Sequence, residues 1–398
     1  MSALVAGIHA FPLRFLQRKT WMAGTSPAKT TLRYRRANGI RSEQRLRMRT
    51  PVVIGIATPP GMTAANGYFS AASALGYDRD EDLELKIFYG EEPRATARAL
   101  CDGACDIASL NTTVGLLGRE SGLPMVAVYG KARRTHRWFA VVQQSSIRSL
   151  SDLRGKKIAC DFDHLRSLAE AALAEEDVSA GSFEWVPWRG SGMETRAMIE
   201  PLREGAIDAV FLIDWNHGDF IAEGLEMRRL PSRALDRIRL SSCLWTSESY
   251  LQAHHDAIAG IGRAMAKVTT YALENPEAAV RLMWRQEPQT RPPVEDEARV
   301  LRRDLEIMKA RLDSFAPDPG EKAWCWGSIE RDEIAAWQEF LINCGAMHRR
   351  LDLASVFTSE FIDRFNAFDA DAIRAQARAF KPHASSGGRH AATRETGR

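Results

Sequence analysis

What this 398-residue chain lacks narrows it before anything it contains. It has no run of 18 or more apolar residues, so no membrane-spanning helix is expected. The Gly-x-Ser-x-Gly elbow, the phosphate loop ending in Gly-Lys-Ser/Thr, His-Glu-x-x-His, and a Gly-x-Gly-x-x-Gly after the first strand are all missing. The common hydrolase, nucleotide, zinc-peptidase and dinucleotide signatures are thereby set aside, and no enzyme is indicated. Cysteine is sparse: of six, only Cys101 and Cys105 are close, and no second Cys or His pair at zinc-finger spacing completes four ligands. All six are read as small buried apolar residues. His254-His255 has no third ligand nearby, so neither metal nor cofactor is expected.

Basic charge is also less abundant than the net +3 suggests. The chain has 54 Lys+Arg and 51 Asp+Glu; the first 50 residues hold 11 and 1 of these, leaving 43 against 50. The folded part is thus acidic, and a nucleic-acid partner has no support. The segment before Thr50 lacks a period of 2 or 3.6. Its apolar stretch precedes Arg14, Arg18 and Lys19, the reverse of a secretory signal. Residues 1–49 are expected to be a leader outside the fold, resembling an organelle transit peptide or lying upstream of a true start at Met48.

What is present is an internal repeat at a spacing of 102 residues. Leu100, Gly103, Ala104, Asp106 and Leu110 recur as Leu202, Gly205, Ala206, Asp208 and Leu212. Each copy reads as a helix end, a left-handed glycine cap, an Asp in the turn, and a short buried strand. Strands expected at 51–57, 83–89 and 107–110 alternate with helices over 64–75, 94–100 and 112–120, so the sheet should be mostly parallel. Strands at 125–129 and 138–142 flank a basic turn from Lys131 to Arg137. Further strands fall at 156–160, 183–188 and 210–213, with helices at 164–175 and 195–203. Ile258, Ile261, Met265, Val268 and Ala272 mark an amphipathic helix ending before Asn275-Pro276. Helices are then expected over 300–312, 334–343 and 355–368, and the Ser/Gly/His/Arg-rich tail at 382–398 reads as disordered.

These residues resemble the solute-binding proteins of ABC importers, in the branch of nitrate, sulfonate and taurine binders and thiamine-pyrimidine-precursor proteins. The resemblance rests on the two Leu-x-x-Gly-x-x-Asp segments, on Gly122-Leu123-Pro124-Met125-Val126, and on Ser149-Leu150-Ser151-Asp152-Leu153-Arg154-Gly155-Lys156-Lys157-Ile158-Ala159. Asn275-Pro276-Glu277 after a long helix adds to it. It covers residues 50–370. The resemblance implies an α/β, two-lobed type II periplasmic-binding-protein-like fold with a helical C-terminal part, hinged at two crossovers. Lobe 1 would comprise 50–140 plus 240–372, and lobe 2 would comprise 141–239. It also implies a periplasmic monomer that encloses a small polar organic ligand and hands it to an ABC permease. The lack of an export signal keeps a cytoplasmic location open. It also keeps open an enzyme on the same fold, of the aromatic-acid decarboxylase or pyrimidine-precursor synthase type. The cysteine run of the thiamine-precursor synthases is missing here.

Ligands of such sheets sit beyond strand carboxyl ends, often at helix N-termini. On that rule the first lobe would contribute Pro60 and Gly61, then Ser109, Asn111 and Thr112 as donors to a ligand oxygen. The second would contribute Asp161, Asp163 and His164 toward a ligand amine, Gly190 and Ser191 as backbone donors, and Asp214 with Trp215 as a stacking wall. Arg133 and Arg134, beside the crossover, could grip a carboxylate.

Overall fold

The computed structural model describes residues 49–57, 68–90, 92–161, 165–189, 195–290, 293, 296–316 and 325–381. The leader, the start at Met48 and the tail at 382–398 lie outside the described residues.

A first sheet is built from β1 (Thr50–Ile56), β2 (Leu83–Tyr89), β3 (Ile107–Asn111) and β4 (Met125–Ala132), with α1 (Tyr68–Leu75), α2 (Pro93–Cys101) and α3 (Thr112–Glu120) between them. The chain crosses at 133–136 into a second sheet of β5 (Arg137–Val142), β6 (Lys157–Cys160), β7 (Glu184–Val186), β8 (Ala209–Ile213) and β9 (Met227–Arg229). Its helices are α4 (Arg166–Ala174), α5 (Arg196–Arg203), α6 (Asp214–Ala222) and α7 (Arg233–Arg237). A second crossing returns to the first sheet as β10 (Ser242–Ser247). There follow α8 (Glu248–Ala253), α9 (His255–Glu274), α10 (Pro276–Gln286), α11 (Glu297–Phe315), α12 (Arg331–Asn343), α13 (Ile362–Phe365) and α14 (Ala370–Arg378). Strand order is β2-β1-β3-β10-β4 in one sheet and β7-β6-β8-β5-β9 in the other. This is the two-lobed α/β fold, with one returning antiparallel strand in the first sheet.

The repeat has a concrete physical basis. Gly103 and Gly205 both adopt the left-handed backbone, with φ of +77° and +72°. The Asp106 carboxylate accepts from the Val53 N–H at 2.8 Å while its own N–H donates to the Val53 carbonyl at 2.9 Å. Asp208 makes the same two bonds with Lys157, each at 2.9 Å. In each lobe, then, the Asp pins an incoming strand to its neighbour before the ladder starts. The second lobe opens with a capping box between Ser149 and Asp152, and Gly155 at φ +72° stops that turn ahead of β6.

The apolar stripe of α9 is buried as the periodicity requires. Ile258, Ile261, Met265, Val268 and Ala272 share one core with Val52, Ile54 and Ile56 of β1. Asn275 then caps α10 by accepting from the Ala278 N–H, with Pro276 in the first turn.

Three expectations are corrected. The lobe boundary at 140/141 falls inside β5, all of which pairs in the second sheet, so the changeover lies at 133–136. The helix over 355–368 shrinks to α13. Its start runs extended along β4, where the Ala127 N–H donates to the Val356 carbonyl and the Thr358 N–H to the Ala127 carbonyl, covering a sheet edge. Cys325 is exposed, whereas Cys105, Cys160 and Cys243 are buried.

Candidate functional site

Strand polarity decides where polar side chains collect. The parallel strands β3, β6 and β8 end, and the antiparallel β5 and β10 begin, beside the two crossings. Both repeat strands run straight into helices, so α3 and α6 start without a loop. The first helical N–H of each is taken by the opposite crossing: Thr112 donates to the Ser241 carbonyl at 3.0 Å and Asp214 to the His136 carbonyl at 2.8 Å. The helix ends are thereby locked to the hinge.

Lys131, at the end of β4, lies on the α1/α11 face of the first sheet. Its Nζ donates to Ser109 Oγ at 2.5 Å and sits 5.8 Å and 5.7 Å from the ring centres of Phe69 and Phe315. Burial, then the Arg311 guanidinium, brings its ammonium down to about 7. Asn111 and Ser242 face each other across β3 and β10; the Asn111 side chain does not cap α3, and Ser242 Oγ is buried with no partner among the described residues.

From the second lobe comes Asp214, fully buried. Arg311 of α11 donates to its Oδ1 at 3.0 Å, and the Trp215 N–H donates to the same oxygen at 2.8 Å. Burial pushes the carboxyl up, opposed by Arg311, the Trp215 N–H, Arg137 and Lys131. The guanidinium lies 5.9 Å from the Trp215 ring centre. Asp214 Oδ2, Trp215 Nε1 and Arg311 Nε are buried and have no partner among the described residues.

His136 completes the cluster. Ser241 Oγ donates its proton to the Arg134 carbonyl at 2.7 Å, so it accepts from Nδ1–H of His136 and leaves Nε2 as a bare acceptor. Burial, with Arg311, Arg137 and Lys131 nearby, holds the ring well below the ordinary imidazole range and therefore neutral.

Other expected residues are engaged elsewhere. Thr112 is fully buried, and its hydroxyl donates to the Leu240 carbonyl, which also accepts from Trp337 Nε1 at 3.0 Å. These bonds hold Leu240 at φ +57°, a backbone that costs a side-chain-bearing residue about 1 kcal/mol or more. Arg133 grips a carboxylate, but it is Glu333 of α12, at 2.7 and 3.1 Å. Arg134 binds Asp313. Asp161 accepts from Arg137 Nη1 through both oxygens at 2.8 Å, tying β6 to β5 instead of presenting a free acid. In the expected basic turn Arg133 and Arg137 are thus buried and ion-paired, and Arg134 is half-buried and ion-paired. Pro60, Gly61, Asp163, His164, Gly190 and Ser191 lie outside the described residues.

The residues that sequence reasoning passed over are Lys131, His136, Phe69, Arg311 and Phe315. Lys131 and His136 lie in the segment whose basic sequence reads as a turn; Arg311 and Phe315 belong to a helix some 180 residues away with no local mark of a site. An open groove of about 490 Å³ also runs between the crossings, lined by Arg134, Thr135, Arg229, Asp236 and Arg239 among others. Its arginines face Asp313, Asp236 and Glu333. Among the described residues no group of three or more His, Cys, Asp or Glu is placed to hold a metal ion.

The NMT1/THI5 like family matches residues 65–279, more than half of the chain. The chain belongs to that family. This NMT1/THI5-like protein is 22% identical over 285 residues to the formylaminopyrimidine-binding protein of Halalkalibacterium halodurans, covering 69% of this chain and 81% of that one. Among solved structures it resembles the periplasmic aliphatic sulphonate binding protein SsuA of Escherichia coli, with a TM-score of 0.56, 14% identity, and coverage of 77% and 96%. It also resembles the desulfurization enzyme DSZB, with a TM-score of 0.52, 15% identity, and coverage of 79% and 98%. The NMT1/THI5-like chain therefore has the fold of the substrate-binding proteins of ABC import systems, a fold that an enzyme also uses.

Proposed function

We propose that this protein is a solute-binding protein that encloses a small polar organic molecule between its lobes and delivers it, as a periplasmic monomer, to an ABC permease. The observation that carries this reading is the set of unpartnered buried polar atoms contributed by both lobes. His136 Nε2, Ser242 Oγ and Arg311 Nε come from the crossing and the first lobe, and Asp214 Oδ2 and Trp215 Nε1 from the second. A buried donor or acceptor without a partner costs about 1–3 kcal/mol, so such a set calls for an occupant that supplies the bonds. Two acceptors and several donors, with the Trp215 ring beside Arg311 and the Phe69 and Phe315 rings beside Lys131, suit a flat molecule with mixed donors and acceptors. The formylaminopyrimidine-binding relative supports an aminopyrimidine. The SsuA likeness makes an alkanesulfonate the comparison to run.

Both probes can be screened by thermal shift, followed by calorimetry. Formylaminopyrimidine should raise the melting temperature progressively with concentration and be recovered unchanged. Its chemical conversion would replace the carrier with an enzyme, and an unshifted melting temperature at millimolar probe would remove the aminopyrimidine reading.

A further inference from the structure

We infer that α11 is a clamp that assembles the ligand site, and that Gly218 is the positioning residue that lets it seat. One side of α11 belongs to the first lobe: Val300, Ile307, Met308, Leu312 and Phe315 share the core of β1, α9 and α10. The other side rests on α6 of the second lobe. A Cβ built at Gly218 would stand 2.7 Å from the Glu306 carbonyl oxygen and 2.8 Å from both its carbonyl carbon and Ile307 Cα. All three are backbone atoms of a helix, and none can swing aside as a side-chain tip would. The two helices therefore touch main chain to main chain at this point, which glycine permits and no other residue does.

The seam continues to either side of that contact. One turn earlier in α6 lies the buried Asp214–Arg311 pair, and Trp215 is in the same apolar cluster as Ile307 and Leu312. One residue later, Asp219 is within electrostatic reach of Arg303 and Asp304. Arg311 and Phe315, which reach the Asp214 carboxylate and the Lys131 amine, are both carried by α11, so the cluster is complete only while that helix is seated. Gly218 thus tunes affinity without touching the ligand.

Gly218→Ala and Gly218→Leu test this, because local and tertiary physics predict opposite signs. Inside a helix, alanine in place of glycine ordinarily stabilises; here it should push α6 off α11. Small-angle scattering of the protein without any added ligand should show a larger radius of gyration for Leu, with Ala between Leu and wild type. Helical circular dichroism should be unchanged. Affinity for formylaminopyrimidine should fall by roughly tenfold or more for Leu, as the binding-competent population drops. If Gly218→Leu does not fold, Gly218→Ala carries the comparison. An Ala variant with a raised melting temperature and an unchanged radius overturns the clamp, and an expanded variant with native affinity overturns the positioning role. The binding arm rests on the carrier reading above; should wild type bind no formylaminopyrimidine, that reading fails while the scattering comparison still decides the clamp.

Discussion

Replacing Lys131 with Met should make the protein more stable, and by an amount that depends on pH. Lys131 is 8% exposed, its amine lies near two phenyl rings, and a second cation, Arg311, is in electrostatic range. Its folded value of about 7 lies below the ordinary 10.5. Between those limits the unfolded chain binds the extra proton, so wild-type stability rises with pH from about 7 upward; below 7 the full penalty for holding a buried ammonium is present. At about 1.4 kcal/mol for each tenfold change in protonation, that penalty is on the order of 5 kcal/mol at most. The lost bond to Ser109 offsets about 1 kcal/mol. Lys131→Met should therefore gain about 2–4 kcal/mol in urea unfolding at pH 6. The gain should shrink toward zero by pH 10, while ligand binding is lost. A variant that is less stable than wild type by the same amount at pH 6 and pH 9 would refute this reasoning, since it would mean that burial does not penalise the ammonium.

Thr112→Ala should lower stability by about 1 kcal/mol through the lost bond to the Leu240 carbonyl and leave ligand affinity native. Trp215→Ala should lower stability by about 3 kcal/mol and abolish tight binding; calorimetry beside denaturant melts separates the two. Glu333→Ala removes the carboxylate that neutralises the buried Arg133 guanidinium and should lower stability by about 3 kcal/mol in urea unfolding without moving affinity. Gly205→Ala, at φ +72° with open space around its added methyl, should lower the unfolding free energy by about 1 kcal/mol from backbone strain alone.

What the sequence made legible was whatever acts through local backbone chemistry. The Gly103/Gly205 caps, the turn residues Asp106 and Asp208 and the α9 stripe all do their work within a few residues or one strand spacing. What stayed hidden depends on distant partners. Arg133 and Arg134 have the chemistry to grip a carboxylate, but the carboxylates are Glu333 and Asp313, 200 and 179 residues away. The helical pattern at 355–368 is overridden where Val356 and Thr358 find backbone partners on the edge of β4. The candidate positions Ser109, Asn111, Asp214 and Trp215 follow from the rule that ligands lie beyond strand ends. Arg311 and Phe315 do not, because the stripe of α11 shows that one face is buried without showing what the other face meets.

The central claim, that both lobes hold one ligand at the crossings, is tested most directly by a crystal structure of the protein grown with formylaminopyrimidine. The account predicts density between the two sheets, bonded to Asp214 Oδ2 and His136 Nε2 and stacked within reach of Phe69, Phe315 and Trp215. Density confined to the groove lined by Arg134, Arg229 and Arg239, with the Asp214 cluster closed on itself, would contradict it.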